Sequence, residues 1–471
     1  MRLGALTGGD EAIPVTGFAI DHRKVAPGTV FGAFRGTRVN GEEYIPAAVA
    51  SGAIAVVSRP DVAVEGAVRI AAEEPRREFA RLAAKFFQPF PGTVVAVTGT
   101  NGKTSNVELT RQLWRMAGHP SASIGTLGVT TADDQVTTGL TTPDIVTFLT
   151  NMAGLKRMGI SHAAFEASSH GLAQFRTEGL PVHAAAFTNF SRDHLDYHGT
   201  MHAYFEAKMR LFDEVVSPDG TAIIWMDDAR SGEVLERCRA RGLATISVGR
   251  NGETLKLASR ETTPLGQRLV VEADGASHVV SLALIGAYQA ANALTAAGLV
   301  IATGGDTKAT LANLARVQPV RGRLERAVIS RSGAPVYVDY AHTPDAIESA
   351  IEALRPHTRD RLIIVFGAGG DRDTGKRCEM GAVAARLADL AIVTDDNPRS
   401  EDPAAIRRDI MAGASGAREI AERREAIQAA VAEAGEGDII LLAGKGHEQG
   451  QIVGDQVLPF DDVTVARECA S

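Results

Sequence analysis

Short apolar runs alternate with longer amphipathic stretches along most of the 471-residue chain. Runs such as VVAVTG, HAAFE and TAIIWM predict strands, because they are brief, apolar and followed by polar or glycine-bearing loops. Stretches such as GAVAARLA and AAIRRDIMAGA repeat their apolar positions at helical spacing and predict helices. Strands that alternate with helices are typical of an α/β protein with mostly parallel sheets.

The pattern divides the chain into three sections, which we predict to be domains at 1–90, 91–319 and 320–471. QPFPG separates the first two, since its prolines block regular structure. The third section restarts after VQPVRGRLE with the apolar strands VYVDY, RLIIVFG, LAIVTDD and GDIILLAG. Ligands of open α/β sheets collect at the carboxyl ends of strands, so function is expected in the loops that follow these runs.

Composition narrows the class of protein. The formal net charge is -8 and no strong basic block offsets it, which argues against a nucleic-acid partner. The three cysteines form no CxxC pair, as expected in a reducing compartment. The chain shows neither a secretory signal nor an apolar run long enough to span a bilayer. We therefore expect a cytoplasmic protein without membrane insertion.

The stretch TGTNGKTS predicts a phosphate-binding loop between a strand and a helix. Lys103 would reach the terminal phosphates of a nucleotide, and the Thr104 hydroxyl would help to hold Mg²⁺. The usual motif requires glycine where Val97 stands, so the loop is shortened. The alternative is a glycine turn with a surface lysine. Residues 370–376 fit the usual spacing better, but Arg377 replaces the required Ser or Thr and we reject that stretch.

Mg²⁺ needs further oxygen ligands, and two strand ends offer candidates. Glu166 ends the run HAAFE, which we expect to lie beside the strand that precedes the phosphate loop. The segment SRDHLDYHG places two aspartates and two histidines within six residues, and His194 is one of them. Most of these polar residues are equally compatible with helix caps and turns.

The motifs GTNGKT, EASSHGL, SRDHLDYHGT, ANALTA, GRLE and VDYAHTPDA resemble, in order and spacing, those of the Mur ligases. The resemblance covers essentially the whole chain. It implies a UDP-substrate-binding domain at 1–90, a central P-loop ATPase domain with a mostly parallel sheet at 91–319, and a Rossmann-like domain at 320–471 that binds an amino acid. It also implies an ATP-dependent ligase that works through an acyl phosphate.

The resemblance assigns roles in ATP binding and catalysis. The expected ATP contacts are Gly99, Thr100, Asn101, Gly102, Lys103, Thr104, Ser105, Asn292, Arg323 and Asp339. The expected Mg²⁺ ligands are Thr104, Glu166, His194 and Lys208, the last as a carbamate formed with CO₂. The expected catalytic residues are Lys103, Lys208, His194 and His342. Without the resemblance, Lys208 would be interpreted as a solvated helix lysine.

The chain most resembles members that extend UDP-N-acetylmuramoyl-L-alanyl-D-glutamate, which is therefore the expected first substrate. The segment DHRKVAPGTVFGAFRGTRVNGEEYI is similar to their UDP-sugar segment, although His22 stands where a serine is usual. The implied contacts to this substrate are Ile20, His22, Thr37, Arg38, Val39, Thr141, Thr142, Ser168, Gln174 and Arg176.

The segment DNPR resembles the motif of members that add meso-diaminopimelate. Diaminopimelate carries a distal carboxylate that lysine lacks, and the guanidinium of Arg399 could bind it bidentately. An unpaired arginine should reject the ammonium of lysine. The implied contacts to the amino acid are Arg372, Asp396, Asn397, Pro398, Arg399, Gly444 and Glu448.

Several alternatives remain open from the sequence. L-lysine could replace diaminopimelate, or the chain could be a ligase of the folylpolyglutamate or cyanophycin synthetase kind. A nucleotide-dependent switch would need the phosphate loop but no second substrate pocket. An NAD-dependent enzyme is less favoured, because Arg372 occupies the third glycine position of the dinucleotide motif. We expect a monomer.

Overall fold

The computed structural model describes residues 1–36, 39–137, 139–264 and 266–470. Thr37 and Arg38, two of the expected substrate contacts, lie outside the described residues. None of the helices in the described ranges combines the length and the hydropathy that crossing a bilayer demands.

The N-terminal section forms a four-stranded parallel sheet in the order β1-β2-β3-β4. Strand β3 is the apolar run AIAVVS, and α3 ends just before the proline-rich linker. The elements of this section are α1 Leu3–Thr7, β1 Gly17–Ala19, β2 Thr29–Gly32, α2 Ile45–Ala50, β3 Ala53–Ser58, β4 Val68–Ala71 and α3 Pro75–Phe87.

The central section contains an eleven-stranded sheet in the order β15-β14-β13-β12-β11-β10-β5-β9-β6-β7-β8. Its centre is parallel, and antiparallel strands extend both edges. The strands are β5 Thr93–Thr98, β6 Ser121–Gly125, β7 Gly128–Thr130, β8 Gln135–Val136, β9 His162–Glu166, β10 Val182–Phe187, β11 Val216–Trp225, β12 Ala244–Gly249, β13 Leu255–Thr263, β14 Gly266–Ala273 and β15 Ala276–Leu282. The helices are α4 Lys103–Met116, α5 Ile145–Arg157, α6 Ser169–Ala173, α7 Leu195–His198, α8 Met201–Arg210, α9 Ser231–Ala240, α10 Ala287–Ala302 and α11 Thr307–Asn313.

The C-terminal section forms a six-stranded sheet in the order β16-β17-β21-β18-β19-β20, parallel except for β16. A separate antiparallel hairpin, β22-β23, follows it. The strands are β16 Glu325–Ile329, β17 Pro335–Asp339, β18 Leu362–Phe366, β19 Leu390–Val393, β20 Arg418–Glu419, β21 Ile439–Ala443, β22 Gly450–Val453 and β23 Gln456–Pro459. The helices are α12 Pro344–Leu354, α13 Arg377–Leu387, α14 Pro403–Met411, α15 Arg423–Glu433 and α16 Asp462–Ala470.

The mostly parallel α/β architecture predicted from the sequence is confirmed. The three sheets fall within the three predicted sections, although the exact domain boundaries remain a prediction. The first two sections share one apolar core, in which Phe18 and Phe79 belong to the same cluster as Phe148 and Phe165. The C-terminal sheet has its own cores on its two faces.

Candidate active site

The phosphate loop lies where β5 ends and α4 begins, as the sequence predicted. No side chain caps the first turn of α4, so its N–H groups remain available for an anionic ligand. Gly102 has φ +86, and a Cβ at this position would collide with Oδ1 of Asn292. The segment after β10 fixes the backbone of the loop, because Asn101 N donates to Oδ1 of Asn189 at 2.8 Å.

Lys103 folds over the phosphate loop. Its Nζ donates to the carbonyls of Gly99 at 3.0 Å and Thr100 at 2.7 Å. Burial lowers the pKa of Lys103, while the charges of Glu166 and Asp193 act in the opposite direction. The lysine therefore lies at the phosphate loop near two carboxylates, where it could also pair with a nucleotide phosphate.

Glu166 stands at the carboxyl end of β9, beside the strand that leads into the phosphate loop. Strand β9 pairs with β5 and places Glu166 level with Val97, as the sequence predicted for these two runs. Its Oε1 accepts from Thr126 N at 2.7 Å, and its Oε2 accepts from the Thr126 hydroxyl at 3.2 Å. The carboxylate is 1% exposed and fixed in orientation.

Lys208 is not a solvated helix lysine, because the structure buries it to 1% exposure. It lies on α8, and its Nζ donates to the carbonyl of Gly99 at 2.6 Å. Burial, and next the charge of Lys103, hold the pKa of Lys208 well below its usual range. Burial therefore favours the neutral form of this amine, which lies directly against the phosphate loop.

His194 has a left-handed backbone, with φ 55, and immediately precedes α7. Burial lowers the pKa of His194 to about 3, so its imidazole stays neutral and can act as a ligand. The neighbouring Asp193 lies 3.5 Å from His194 Nε2 and 3.8 Å from His342 Nε2. Burial would raise the pKa of Asp193, but the nearby His342 and the charge of Lys376 hold it well below its usual range.

Thr104, Glu166, His194 and Lys208 all line the same cavity as the phosphate loop. Within the described part of the chain, no three His, Cys, Asp or Glu side chains form a ready metal cluster. The hydroxyl, carboxylate and neutral imidazole are nevertheless suitable donors for Mg²⁺, which usually keeps several waters and binds phosphate oxygens. These residues fit the metal only if a nucleotide and water supply the remaining ligands.

The C-terminal section reaches this cavity through Arg323. Its Nη2 donates to the Thr104 hydroxyl at 2.9 Å, and its guanidinium lies 4.4 Å from the centre of the Tyr340 ring. Asp339, at the end of β17, accepts from Leu324 N at 2.6 Å. Burial raises the pKa of the Asp339 carboxyl.

Asn292 completes this group of expected nucleotide contacts from α10. Its Oδ1 accepts from Nδ2 of Asn106 at 3.0 Å, which joins α10 to α4. The shared cavity has a volume of about 770 Å³ and also includes Tyr288. The structure thus brings the expected ATP residues of two sections around one space.

A second group lies beside the cavity, at the carboxyl end of β9. The Thr142 hydroxyl donates to the Glu166 carbonyl at 2.8 Å, and Arg176 Nη1 donates to the Thr142 carbonyl at 2.8 Å. Arg176 also donates to Oε1 of Gln174 at 2.7 Å. Three further side-chain hydrogen bonds involve this group: Thr141 with Thr126, Thr142 with Ser168, and Gln174 with Tyr197. The expected contacts to the muramoyl peptide therefore lie together.

The expected UDP contacts that the structure describes lie in the N-terminal section. His22 stacks on Tyr44 with ring centres 4.4 Å apart and an interplanar angle of 6°. Ile20 is partly buried against the shared core, whereas Val39 is 56% exposed. Tyr44 was not identified from the sequence, because only the fold places it against His22.

The DNPR segment follows β19 and packs against the loop that follows β18. Arg399 Nη1 donates to the Gly370 carbonyl at 2.7 Å, and Gly370 N donates to the Asn397 carbonyl at 2.9 Å. A Cβ on Gly369 would lie 2.7 Å from Arg399 Nη1 and 3.8 Å from Cγ of Arg372. The two arginines therefore reach the same surface of the loop, with Pro398 between Asn397 and Arg399 in the chain.

Two carboxylates also lie at this segment. Glu448 Oε2 accepts from Asn397 Nδ2 at 2.7 Å. Gly444 has φ +107, and a Cβ there would lie 2.8 Å from Oδ2 of Asp396, so glycine is required beside that carboxylate. Lys445, which the sequence did not single out, lies between these groups.

The stretch rejected as a phosphate loop connects two sections instead. Lys376 Nζ lies 3.5 Å from Oδ1 of Asp193, and Asp373 pairs with Arg192 at 3.3 Å. The charges alternate along the contact, since each section contributes one acid and one base. This contact positions the loop that carries Arg372 beside the cavity.

Sequence models of three Mur ligase domains match the chain. The Mur ligase family catalytic domain matches residues 14–105, the Mur ligase middle domain 97–300, and the Mur ligase glutamate ligase domain 322–446. The chain therefore belongs to the Mur ligase family and is an ATP-dependent ligase, as the resemblance implied.

Three proteins that are similar to this chain over nearly its whole length bear the same name. A UDP-N-acetylmuramoyl-L-alanyl-D-glutamate–2,6-diaminopimelate ligase of Zymomonas mobilis subsp. mobilis is 58% identical over 477 residues, which cover 99% of this chain and 98% of that protein. The ligase of the same name from Bradyrhizobium diazoefficiens is 50% identical, with 98% and 97% covered. A solved structure of a ligase of that name is 32% identical, has a TM-score of 0.73, and aligns with 100% of this chain and 98% of its own.

The ADP complex of Mycobacterium tuberculosis folylpolyglutamate synthase has a TM-score of 0.64 at 21% identity. The alignment covers 80% of this chain and 92% of that one. At this identity the likeness shows a shared fold alone.

Proposed function

We propose that this ligase joins meso-diaminopimelate to the D-glutamate of UDP-N-acetylmuramoyl-L-alanyl-D-glutamate, with ATP and Mg²⁺, in the synthesis of a peptidoglycan precursor. The observation that carries the proposal is the split charge of the loops after β18, β19 and β21. Two arginines, Arg372 and Arg399, lie next to Gly369. Asp396 and Glu448 lie next to Lys445 and Asn397 in the neighbouring loops. Diaminopimelate carries carboxylates and ammonium groups at both ends, so it complements both the arginines and the carboxylates.

ATP solves a chemical problem, because a carboxylate and an ammonium do not condense at neutral pH. The D-glutamate carboxylate attacks the γ-phosphorus of ATP, the bond to ADP breaks, and an acyl phosphate forms. A neutral amine then attacks the acyl carbon, and the resulting tetrahedral intermediate expels phosphate. Positioning and charge stabilisation supply most of the catalysis in such transfers.

The chain's own residues suit these steps. Lys103 at the phosphate loop and Arg323 at the Thr104 hydroxyl would neutralise phosphate charge. Thr104, Glu166, His194 and a modified Lys208 would hold Mg²⁺, which would supply positive charge against the phosphates. His342 faces the same cavity beside Asp193, where it could orient groups on the transferred phosphoryl.

A carbamate on Lys208 would explain a buried amine at the phosphate loop. Its neutral Nζ would attack CO₂, form an N–C bond and release one proton. The product is an anion, which Mg²⁺ would bind, whereas an ammonium would repel the metal. Burial and low basicity favour that addition, because only the neutral amine is nucleophilic.

Phosphate release from ATP tests the function. The assay contains Mg²⁺ and UDP-N-acetylmuramoyl-L-alanyl-D-glutamate, with meso-diaminopimelate and L-lysine in parallel. Release with diaminopimelate alone, together with a tripeptide product by mass, is the expected result. Equal release with lysine would refute the role of the arginines, and release with neither would refute the proposed substrates.

Arg399→Met tests the specificity directly. Because a bidentate charged contact contributes about 1.5–3 kcal/mol, we expect the preference for diaminopimelate over lysine to fall by roughly 10- to 150-fold. Arg408→Met, in which a 68% exposed arginine of the same domain is replaced, is the control. A preference equal to that of the wild type would contradict this role of Arg399.

A further inference from the structure

Lys445 is a residue at the amino-acid site whose charge neither the sequence nor the proposed mechanism used. It lies in the loop after β21, and its side chain has 0% exposure. Fully buried lysines are rare unless they are paired, because burial of an unpaired ammonium is costly. Its surroundings therefore indicate what its charge does.

The ammonium of Lys445 connects three segments of the chain. Nζ donates to the Gly450 carbonyl at 2.7 Å, to Asn397 Oδ1 at 3.2 Å and to Glu448 Oε2 at 3.3 Å. These acceptors belong to β22, to the DNPR segment and to the loop after β21. An ammonium has three N–H groups, so these contacts use all of its donors.

The geometry at Glu448 is asymmetric. Lys445 Nζ and Asn397 Nδ2 both donate to Oε2. The hydrogen bonds of the described residues leave Oε1 open, and the side chain of Glu448 is 29% exposed. One carboxylate oxygen is thus anchored in the protein while the other faces outward.

The charges do not cancel around this lysine. Asp396 Oδ1 lies 3.5 Å from Nζ, is buried, and has no hydrogen-bond partner among the described residues. Two carboxylates therefore share one ammonium. The nearby Arg423 is occupied by Asp462, since both side chains have 0% exposure and form a bidentate pair. One negative charge is left over beside the site.

We propose that Lys445 is a positioning residue for the amino-acid substrate. It anchors Oε2 of Glu448 and thereby directs Oε1 toward an ammonium group of the incoming amino acid, while it offsets only one of the two carboxylate charges beside it. The inference rests on the proposed function, since it concerns the same amino-acid site.

Lys445→Met tests the role, because it should change the KM for diaminopimelate and not the KM values for the other two substrates. We expect the KM for diaminopimelate to rise at least tenfold, with the KM values for ATP and the UDP-substrate within twofold of wild type. The control is Arg361→Met, which removes a cation paired with the buried Asp438 at the opposite ends of the strands. It should lower stability without changing any KM. An unchanged KM for diaminopimelate, or an equal rise in all three constants, would overturn the inference.

A second comparison keeps the inference testable if the Lys445→Met variant does not fold. The double variant Lys445→Met/Glu448→Gln removes one charge of each sign, and it is compared with Glu448→Gln alone. Because Lys445 acts through Glu448, the two should have KM values for diaminopimelate within threefold of each other. A further tenfold rise in the double variant would overturn the inference. Wild-type protein without diaminopimelate-dependent phosphate release would overturn the proposed function as well, which separates the two failures.

Discussion

Replacement of Lys208 by methionine should greatly reduce activity while leaving the fold almost intact. In the unmodified lysine, burial holds the pKa well below its usual range, which favours a neutral side chain. It removes one hydrogen bond to the Gly99 carbonyl, which still accepts from Lys103 Nζ at 3.0 Å. No buried acceptor is orphaned, so the free energy of unfolding should fall by only about 0.5–1.5 kcal/mol.

The expected loss of activity is much larger. A carbamate would place negative charge at the phosphate loop, where it would help to hold Mg²⁺. Loss of one preorganised electrostatic group in such a site reduces kcat by roughly 10²–10³-fold. ATP-dependent phosphate release and thermal unfolding would be measured on the same preparations. Short-chain carboxylates such as acetate should restore part of the activity, since they can occupy the space of the carbamate.

Lys256→Met is the matched control, because that lysine is 51% exposed and forms only a surface ion pair with Glu272. It should change neither property measurably. Activity of Lys208→Met within threefold of wild type would remove the carbamate from the mechanism. A loss of more than 3 kcal/mol in unfolding free energy would instead show that a charged, paired lysine had been removed.

Three other buried or bridging groups lead to further predictions. Arg323→Met removes the guanidinium that donates to Thr104, and the KM for ATP should rise by about 10- to 150-fold in steady-state kinetics; an unchanged KM would contradict its contact with the nucleotide. Asp462→Asn leaves Arg423 buried without its charge partner, so urea unfolding should show a loss of about 3–5 kcal/mol, and a loss below 1 kcal/mol would refute this. Burial, and next the charges of His119 and His183, lower the pKa of His162 to about 4. As pH decreases, the unfolded chain therefore takes up this proton before the folded chain does. The free energy of unfolding should fall by roughly 1–2 kcal/mol between pH 6.5 and pH 4. His162→Gln should show a smaller fall over this range, and equal falls in the two proteins would exclude His162 as the source.

Local sequence was sufficient wherever one segment carried the whole signal. The phosphate loop and the strand that ends at Glu166 could be predicted because apolar runs, glycines and polar ends lie together in the chain. The antiparallel extension β13–β15 was not predicted, although a signal exists. Asp274 and Gly275 separate two alternating runs and have φ values of 50° and 72°, as two-residue hairpin turns require.

Other features depend on contacts that no local pattern contains. The sequence alone favours a solvated Lys208, and the fold buries it by placing α8 against the Gly99 carbonyl. Thr126 orients Glu166 only because β6 and β5 both pair with β9. Lys445 is a polar residue in a glycine-rich loop, a pattern typical of surface turns, yet three segments close around it.

The shared apolar core has a consequence for how the chain can be divided. Phe79 on α3 and Phe148 on α5 lie in one cluster, so separating the first two sections would expose a broad apolar surface on each. The contacts of the third section with the cavity include polar pairs such as Arg192 with Asp373. A fragment of residues 1–319 should therefore be a single cooperative unit, whereas residues 1–90 expressed alone should aggregate. The described residues form three large sheets and one two-stranded hairpin, but the chain should divide into only two modules.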